Sequence, residues 1–398
     1  MISTPDSLKA EEKKTVVPVG ILYSLSGHYG VIGREMLNGI LLAIEEANAS
    51  PDYNFTLAPV VLNPAGSLEK YDEYCRELLH RHGVKHIVGC YTSASRKQIL
   101  PLIESADALL WHSARYEGFE SSNNVMYLGA APNQHVIPMI KYVLEQYEPK
   151  IYHVGSNYVW SWEIDRITRE AIEPVGGELV ASRLLALGET DVQAVIEEII
   201  EKRPPVVLVT LVGVTAYRFY QAWHEAAAQH AWLRSPERVK LSLTLCEPEV
   251  DIVGSAALEG YLVSAVYFQS IEREENQRFL QRYRERFGEH SSPSVDSEAA
   301  WLSGHFLARA IARAHSADVA DVRQAVYQDE IEGPGGCTRI DPENNHAWLT
   351  PRLARCGADG RFHILWQAPE PVKPDPWLTW VDLNELTENP SPLEQEGG

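Results

Sequence analysis

The stretch VKHIVGCYTSASRKQILP, Val84 to Pro101, places Tyr91, Thr92, Ser93 and Ser95 between an apolar run and a helical pattern. The run from Val84 to Val88 reads as a buried strand, and the residues that follow read as a helix. A strand that hands over directly to a helix is the repeating unit of a parallel α/β sheet. Short hydroxyls at such a junction have two uses. They cap the new helix, or they hold a small polar ligand at the carboxyl end of the strand, where open α/β sheets bind ligands.

The same alternation extends in both directions. VPVGILYS reads as a strand, and REMLNGILLAIEEANA as a helix with Leu37, Ile40, Leu41 and Ile44 at helical spacing. TLAPVVLN is a second strand, and SLEKYDEYCRELLHRHG a helix opened by Ser67 and closed by Gly83. ALLWH and VMYLGA complete a first group of strands. Near residue 150 the pattern restarts with KIYHVGS, ELVASRLLAL, PVVLVTLVG and LEGYLVSAVYF as strands and helical segments between them. The restart argues for two lobes. Further helices are expected at 274–288, 296–315 and 319–327. After the GPGG at 333–336 the texture becomes short antiparallel strands, with turns at Asn344-Asn345 and Gly360. The final NELTENPSPLEQEGG lacks basic and aromatic residues and reads as disordered.

Composition removes several function classes. The 398 residues are 45% apolar and 23% charged, as expected for a globular chain with sizeable cores. A net charge of -20 and the lack of a basic stripe argue against direct nucleic-acid contact, which relies on Lys and Arg neutralising phosphates. No apolar stretch has the length of a membrane-spanning helix. The first twenty residues have no apolar signal core, so a cytoplasmic location is expected, or a periplasmic or extracellular one if a leader was removed. Five cysteines at 75, 90, 246, 337 and 356, with no CxxC, fit reduced thiols better than a disulfide framework or a zinc site.

No motif for an enzyme, a metal or a cofactor survives inspection. HEAAAQH at 224–230 sets its histidines six apart, not the four of a zinc-protease helix. There is no GxSxG, no phosphate-binding GxxxxGKS, and Gly27 and Gly30 lack dinucleotide-fingerprint spacing. A nucleophilic triad built on Ser26 and His28 would rest on one chance combination among 14 histidines. What stands out instead is a recurrence of place. The loops after the strands carry Ser24, Ser26, Gly27, His28 and Tyr29; then Tyr91, Thr92, Ser93 and Ser95; then Trp111, His112, Ser113, Arg115 and Tyr116; then Ser156, Asn157, Tyr158, Trp160 and Trp162. If the lobes face each other, hydroxyls and aromatic walls converge on one cleft suited to a small, neutral, polar ligand. The bland alternative is that the serines are caps and the aromatics are lobe contacts.

VGILYSLSG, GCYTSASRK, ADALLWHSARYEGFE, GAAPNQ and VGSNYVW resemble the type I periplasmic-binding-protein family, in its branched-chain-amino-acid, urea and amide branch. The segment NNHAWLTPRLARCGADGRFHILWQAPEPVKPDPW is most similar to the cytoplasmic aliphatic-amide receptors that regulate amidase operons, and TSASRK and LLWHSARYEG also resemble urea receptors of ABC transporters. The similarity covers roughly residues 16–380.

The resemblance implies an α/β, two-lobed fold, each lobe a mainly parallel sheet flanked by helices, with a three-stranded hinge. Lobe bounds follow as 15–133 plus 268–340 and 134–267 plus 341–380, with 381–398 as a disordered tail. It implies a sensor of a short amide or urea that acts through a regulatory protein partner, an RNA-binding antiterminator, and uses no cofactor, metal or catalysis. The alternative is a solute receptor of an ABC transporter for urea, short amides or branched-chain amino acids. Homo-oligomerisation is left open. The ligand-binding set becomes Ser26, Tyr91, Ser93, Trp111, His112, Tyr158 and Trp160. His112 and Ala114 stand where the amide receptors have a tyrosine and a threonine, and Arg115 where they have a proline. Arg115 is expected to turn outward; turned inward it would invite a carboxylate.

Overall fold

The computed structural model describes residues 14–379 except 236. The expected tail at 381–398 lies outside the described residues. The first sheet contains β1 (Thr15–Leu22), β2 (Phe55–Leu62), β3 (His86–Gly89), β4 (Leu109–His112) and β5 (Val125–Tyr127), in the order β2-β1-β3-β4-β5 and parallel throughout. The second sheet begins with β6 (Lys150–Ser156), β7 (Glu178–Leu185), β8 (Val206–Thr210), β9 (Val239–Ser242) and β10 (Tyr261–Ala265), also parallel. A small third sheet holds β11 (Glu330–Gly333), β12 (Gly336–Ile340) and β13 (Ala347–Trp348), after which β14 (Arg352–Cys356) and β15 (Phe362–Gln367) extend the second sheet antiparallel beyond β10.

Central strands such as β8, Val-Val-Leu-Val-Thr, are buried at every residue, which parallel sheets covered on both faces demand. One apolar core runs from a face of the first sheet into a face of the second. The opposite faces are covered separately. The helices Leu68–Arg76 and Ser93–Ser105 pack under the first sheet, and Pro132–Gln146 and Val159–Ile172 under the second. The helix Gly30–Ala49 crosses Val295–Ala314 so closely that a Cβ on Gly39 would sit 2.1 Å from the Ser297 carbonyl oxygen. That contact returns the later part of the chain to the first lobe.

The chain therefore passes between the sheets after β5, after β10, and between β13 and β14, giving the two-lobed architecture expected from the sequence. The third sheet spans the expected boundary at 340: β12 pairs with β13, and Tyr127 at the end of β5 bridges to His346. The strand β9 and the helices Pro132–Gln146 and Glu247–Val253 were not among the sequence expectations. β9 is four residues long with Lys240 inside it, and Pro132 and Pro138 mask the helical period of the first of those helices.

Candidate functional site

The Tyr91–Ser95 junction resolves in an uneven way. The cap of the helix Ser93–Ser105 is Thr92, whose extended ψ of 147° lets its hydroxyl accept the Ser95 N–H at 3.2 Å. Ser93, already inside the helix, is left to point its hydroxyl elsewhere, and it donates to the Glu117 carboxylate. Expecting Ser93 itself to cap misses the true cap by one residue.

Glu117 belongs to a buried ionic network. Arg96, with 0% of its side chain exposed, donates from Nη2 to Glu117 Oε1 at 3.0 Å and from Nε to Glu120 Oε1 at 2.7 Å. Lys97 reaches Glu120 Oε2 at 2.8 Å, and the Tyr127 hydroxyl donates to Glu120 Oε1 at 3.0 Å. Burial alone would raise the Glu120 carboxyl, but Arg96 and Lys97 hold it down to about 2. His112 lies in the same network. Burial first and the Arg96 charge second push its imidazole down to about 3, so it is neutral. Its Nε2 accepts from Arg96 at 3.1 Å and its Nδ1 donates to the Gly89 carbonyl at 3.3 Å. Both ring nitrogens are thus engaged by protein groups, which corrects the expectation that His112 serves a ligand.

Arg115 turns inward, contrary to expectation. It is buried, donates from Nη1 to the Leu243 carbonyl at 3.0 Å, and reaches Asp296 Oδ2 from Nη2 at 3.0 Å. One guanidinium therefore joins the loop after β4, the end of β9 and the first turn of the helix Val295–Ala314. Asp296 Oδ1 is buried with no hydrogen-bond partner among the described residues.

The second lobe faces this with aromatic groups. Tyr158 precedes the helix Val159–Ile172, and Trp160 lies in its first turn, the two rings stacked with centroids 6.4 Å apart. Burial raises the Tyr158 phenol, and the Glu117 charge raises it further. Tyr29 meets Tyr91 with ring centroids 5.5 Å apart. The Tyr91 phenol is also raised, first by burial and then by Asp296. Trp160 Nε1 is buried and without a hydrogen-bond partner among the described residues. The lobes touch at the mouth, where the Val214 N–H donates to the His28 carbonyl at 3.0 Å. The cleft is closed.

The structure therefore brings Tyr91, Ser93, Tyr158 and Trp160 toward one another. Ser26 is exposed and its hydroxyl accepts from Asn63 Nδ2 at 3.2 Å, on the rim. Trp111 is fully buried in the shared core, with Nε1 unpartnered. Sequence reasoning missed Arg96, Glu117, Glu120, Asp296 and Tyr217. The two glutamates of YEGFE, three apart after a strand, were the available signal. Among the described residues one group has metal-ligating spacing, Glu330, Glu332 and Cys337 on β11 and β12, and both glutamates already face arginines, Arg339 at 3.9 Å and Arg273 at 2.6 Å. No described helix is long and apolar enough to cross a membrane.

Comparison with known proteins follows this geometry. A solute-binding protein of an ABC transporter from Rhodopseudomonas palustris, in complex with p-hydroxybenzoic acid, superposes with a TM-score of 0.82 at 19% identity, covering 92% of this chain and 99% of that one. A branched-chain amino acid transporter substrate-binding protein from Streptococcus pneumoniae, in complex with isoleucine, gives 0.75 at 20% identity over 91% of this chain and 100% of that one. A benzoate complex of an R. palustris solute-binding protein gives 0.80 at 17% identity, over 90% and 98%. A curated relative, a limonene hydroxylase of Geobacillus stearothermophilus, is 26% identical over 136 residues, 34% of this chain, and the match spans about a quarter (25%) of that protein's length. The model of the periplasmic binding protein domain matches residues 17–382, and the chain belongs to that family.

Proposed function

We propose that this chain is a solute receptor, of the kind that serves ABC transporters, which closes its two lobes on a small neutral ligand rich in N–H donors. The observation that carries the reading is the commitment of the cations near the cleft. Arg96 is engaged by Glu117 and Glu120, and Arg115 by Asp296 and two main-chain carbonyls. A carboxylate ligand would meet no free positive group, and buried charges need partners. An amide or urea nitrogen would find acceptors in Asp296 Oδ1 and Glu117. Benzoate and isoleucine, held by the relatives named above, both carry a carboxylate; this cleft is built for something else.

Lobe bounds of 15–133 with 268–340 and 134–267 with 341–380 go with this reading. Ligand binding shifts the population toward the closed form because the closed form holds it better. Transport takes precedence over the expected role as a cytoplasmic regulator of amide-degrading genes, since the solved structures named are solute-binding proteins of transporters. The antiterminator-like partner has no supporting observation in the cleft. Catalysis is not part of the proposal: the Glu117 carboxylate that takes the Ser93 hydroxyl is itself paired with Arg96 and Lys97.

Calorimetric titration of ligand-stripped protein with acetamide, urea, isoleucine and benzoate tests this. A ligand of about four heavy atoms reaches at most about -6 kcal/mol, so the expected Kd is tens of micromolar or weaker. Heat from acetamide or urea, and none from the two carboxylates, is the expected result. Binding of benzoate or isoleucine alone would overturn the reading.

A further inference from the structure

After β15 the chain does not stop on the second sheet. Residues 368–379 run back over the junction of the lobes. Val372 exchanges backbone hydrogen bonds with Leu349, at 2.7 and 3.4 Å. Gln134 Nε2 donates to the Val372 carbonyl at 2.9 Å and Asn133 Nδ2 to the Lys373 carbonyl at 2.8 Å. The Asp375 N–H returns a bond to Asn133 Oδ1 at 2.9 Å. Asn344 Nδ2 reaches the Pro374 carbonyl at 3.3 Å. Each of these contacts pins a main-chain group, so the path of this strap is over-determined.

The strap ends on a turn that belongs to the ligand site. The Pro376 carbonyl accepts the Phe119 N–H at 2.9 Å. Gly118 and Phe119 both have positive φ, 80° and 56°. A bulky residue such as Phe does not hold that conformation without external support. No other side chain fits at position 118, because a Cβ there would lie 2.4 Å from the Pro376 oxygen. The Trp377 ring stands edge-on to the Phe119 ring, centroids 6.2 Å apart. Arg166 caps that same phenyl ring at 4.4 Å. Arg166 lies on the helix Val159–Ile172, which carries Trp160 and is preceded by Tyr158. Glu117, immediately before the turn, takes the Ser93 hydroxyl.

We infer that the strap, residues 372–378, is a positioning element of the ligand site. Its Pro376 carbonyl and Trp377 ring hold the Gly118–Phe119 turn in its left-handed form, and that turn sets Glu117 on one wall of the cleft and, through Arg166, the helix of Tyr158 and Trp160 on the other. The inference rests on the ligand reading given above only for the word ligand; the support of the turn is independent of it.

Two variants test it, the chain ending at Pro371 and Trp377→Ala, against the chain ending at Thr379. Amide hydrogen exchange of residues 116–121 is read together with acetamide and urea affinity and the unfolding midpoint. In both variants exchange across 116–121 accelerates, since the turn has lost its outside partner. The affinity falls about tenfold, an amount that sub-ångström misplacement of a binding group accounts for. Trp377→Phe restores most of it, and the chain ending at Thr379 behaves as the full chain. Exchange at 116–121 unchanged by Trp377→Ala and by the truncation overturns the inference, as does faster exchange with affinity retained within about twofold. If the full chain binds neither probe, the ligand reading falls, while the exchange result still decides whether the strap holds the turn.

Discussion

The two walls of the cleft are built on opposite terms. On the first lobe, the loop from Trp111 to Glu120 and the helix beginning at Ser93 form a network in which Arg96, Glu117, Glu120, His112 and Tyr127 satisfy one another. On the second lobe, Tyr158 and Trp160 bring polar atoms of which the buried Trp160 Nε1 has no hydrogen-bond partner among the described residues. A saturated network is stiff, because every member is fixed by the others. Unpartnered groups behind an apolar wall are costly in isolation and wait for a guest. The first wall is therefore pre-formed except at Asp296 Oδ1, which is left open, and the second is completed by what enters.

The comparison breaks most visibly at Arg96. Arg96→Met removes the buried one of the two cations, Arg96 and Lys97, that reach both Glu117 and Glu120, and stability should fall by about 3–5 kcal/mol, as for other broken buried pairs. Denaturant unfolding checks this, and an unchanged midpoint would mean that the network does not stiffen the wall. Ser93→Ala comes next. It leaves Glu117 Oε2 without its donor, so a stability loss of about 1–3 kcal/mol should accompany weaker acetamide binding. Tyr158→Phe acts on the opposite wall. Its hydroxyl has no hydrogen bond among the described residues, so the unfolding midpoint should hold while affinity drops about tenfold, the value of one hydrogen bond. A stability loss equal to that of Ser93→Ala would erase the distinction between the walls.

The smallest effect is a pH slope. Burial pushes the Glu249 carboxyl up to about 7, against the Cys246 N–H and Arg115, which pull it down. A raised carboxyl keeps its proton in the folded chain after the unfolded chain has lost it. Its contribution is complete below about pH 4.5 and is lost as pH rises to about 7. Glu249→Gln should therefore gain in midpoint relative to the parent as pH climbs through that window. Because buried His112 and His346, both pushed down to about 3, act in the opposite direction in the parent and the variant alike, the difference between the two isolates Glu249. A difference that stays flat from pH 4.5 to 7 would place that carboxylate in water.

The strands and the two-lobed plan were legible because buried parallel strands write themselves as apolar runs, as β8 does. The proposed site gathers Tyr91, Ser93, Tyr158 and Trp160 from the segments that follow β3 and β6. What the chain hides is which charges meet. Nothing in SRK or YEGFE says that Arg96 will lie between Glu117 and Glu120, 21 and 24 residues away. Nor does a loop position say that Arg115 will cross to Leu243 and Asp296, 128 and 181 residues on. Neighbouring hydroxyls also defeat pattern reading: Thr92 and Ser93 are both good caps by type, and only the extended backbone at Thr92 decides. Trp111 and His112 show the same limit, since alternation along β4 sends one ring into the shared core and the other into the ionic network.

The bond from the Val214 N–H to the His28 carbonyl bears on how this chain can change over time. A latch written in main-chain atoms does not depend on which side chains stand at its two ends. Residue 28 is exposed, while a Cβ at position 213 would lie 2.0 Å from the His28 oxygen and is barred. Mutation can thus rewrite the walls for a new solute while the door continues to shut in the same way.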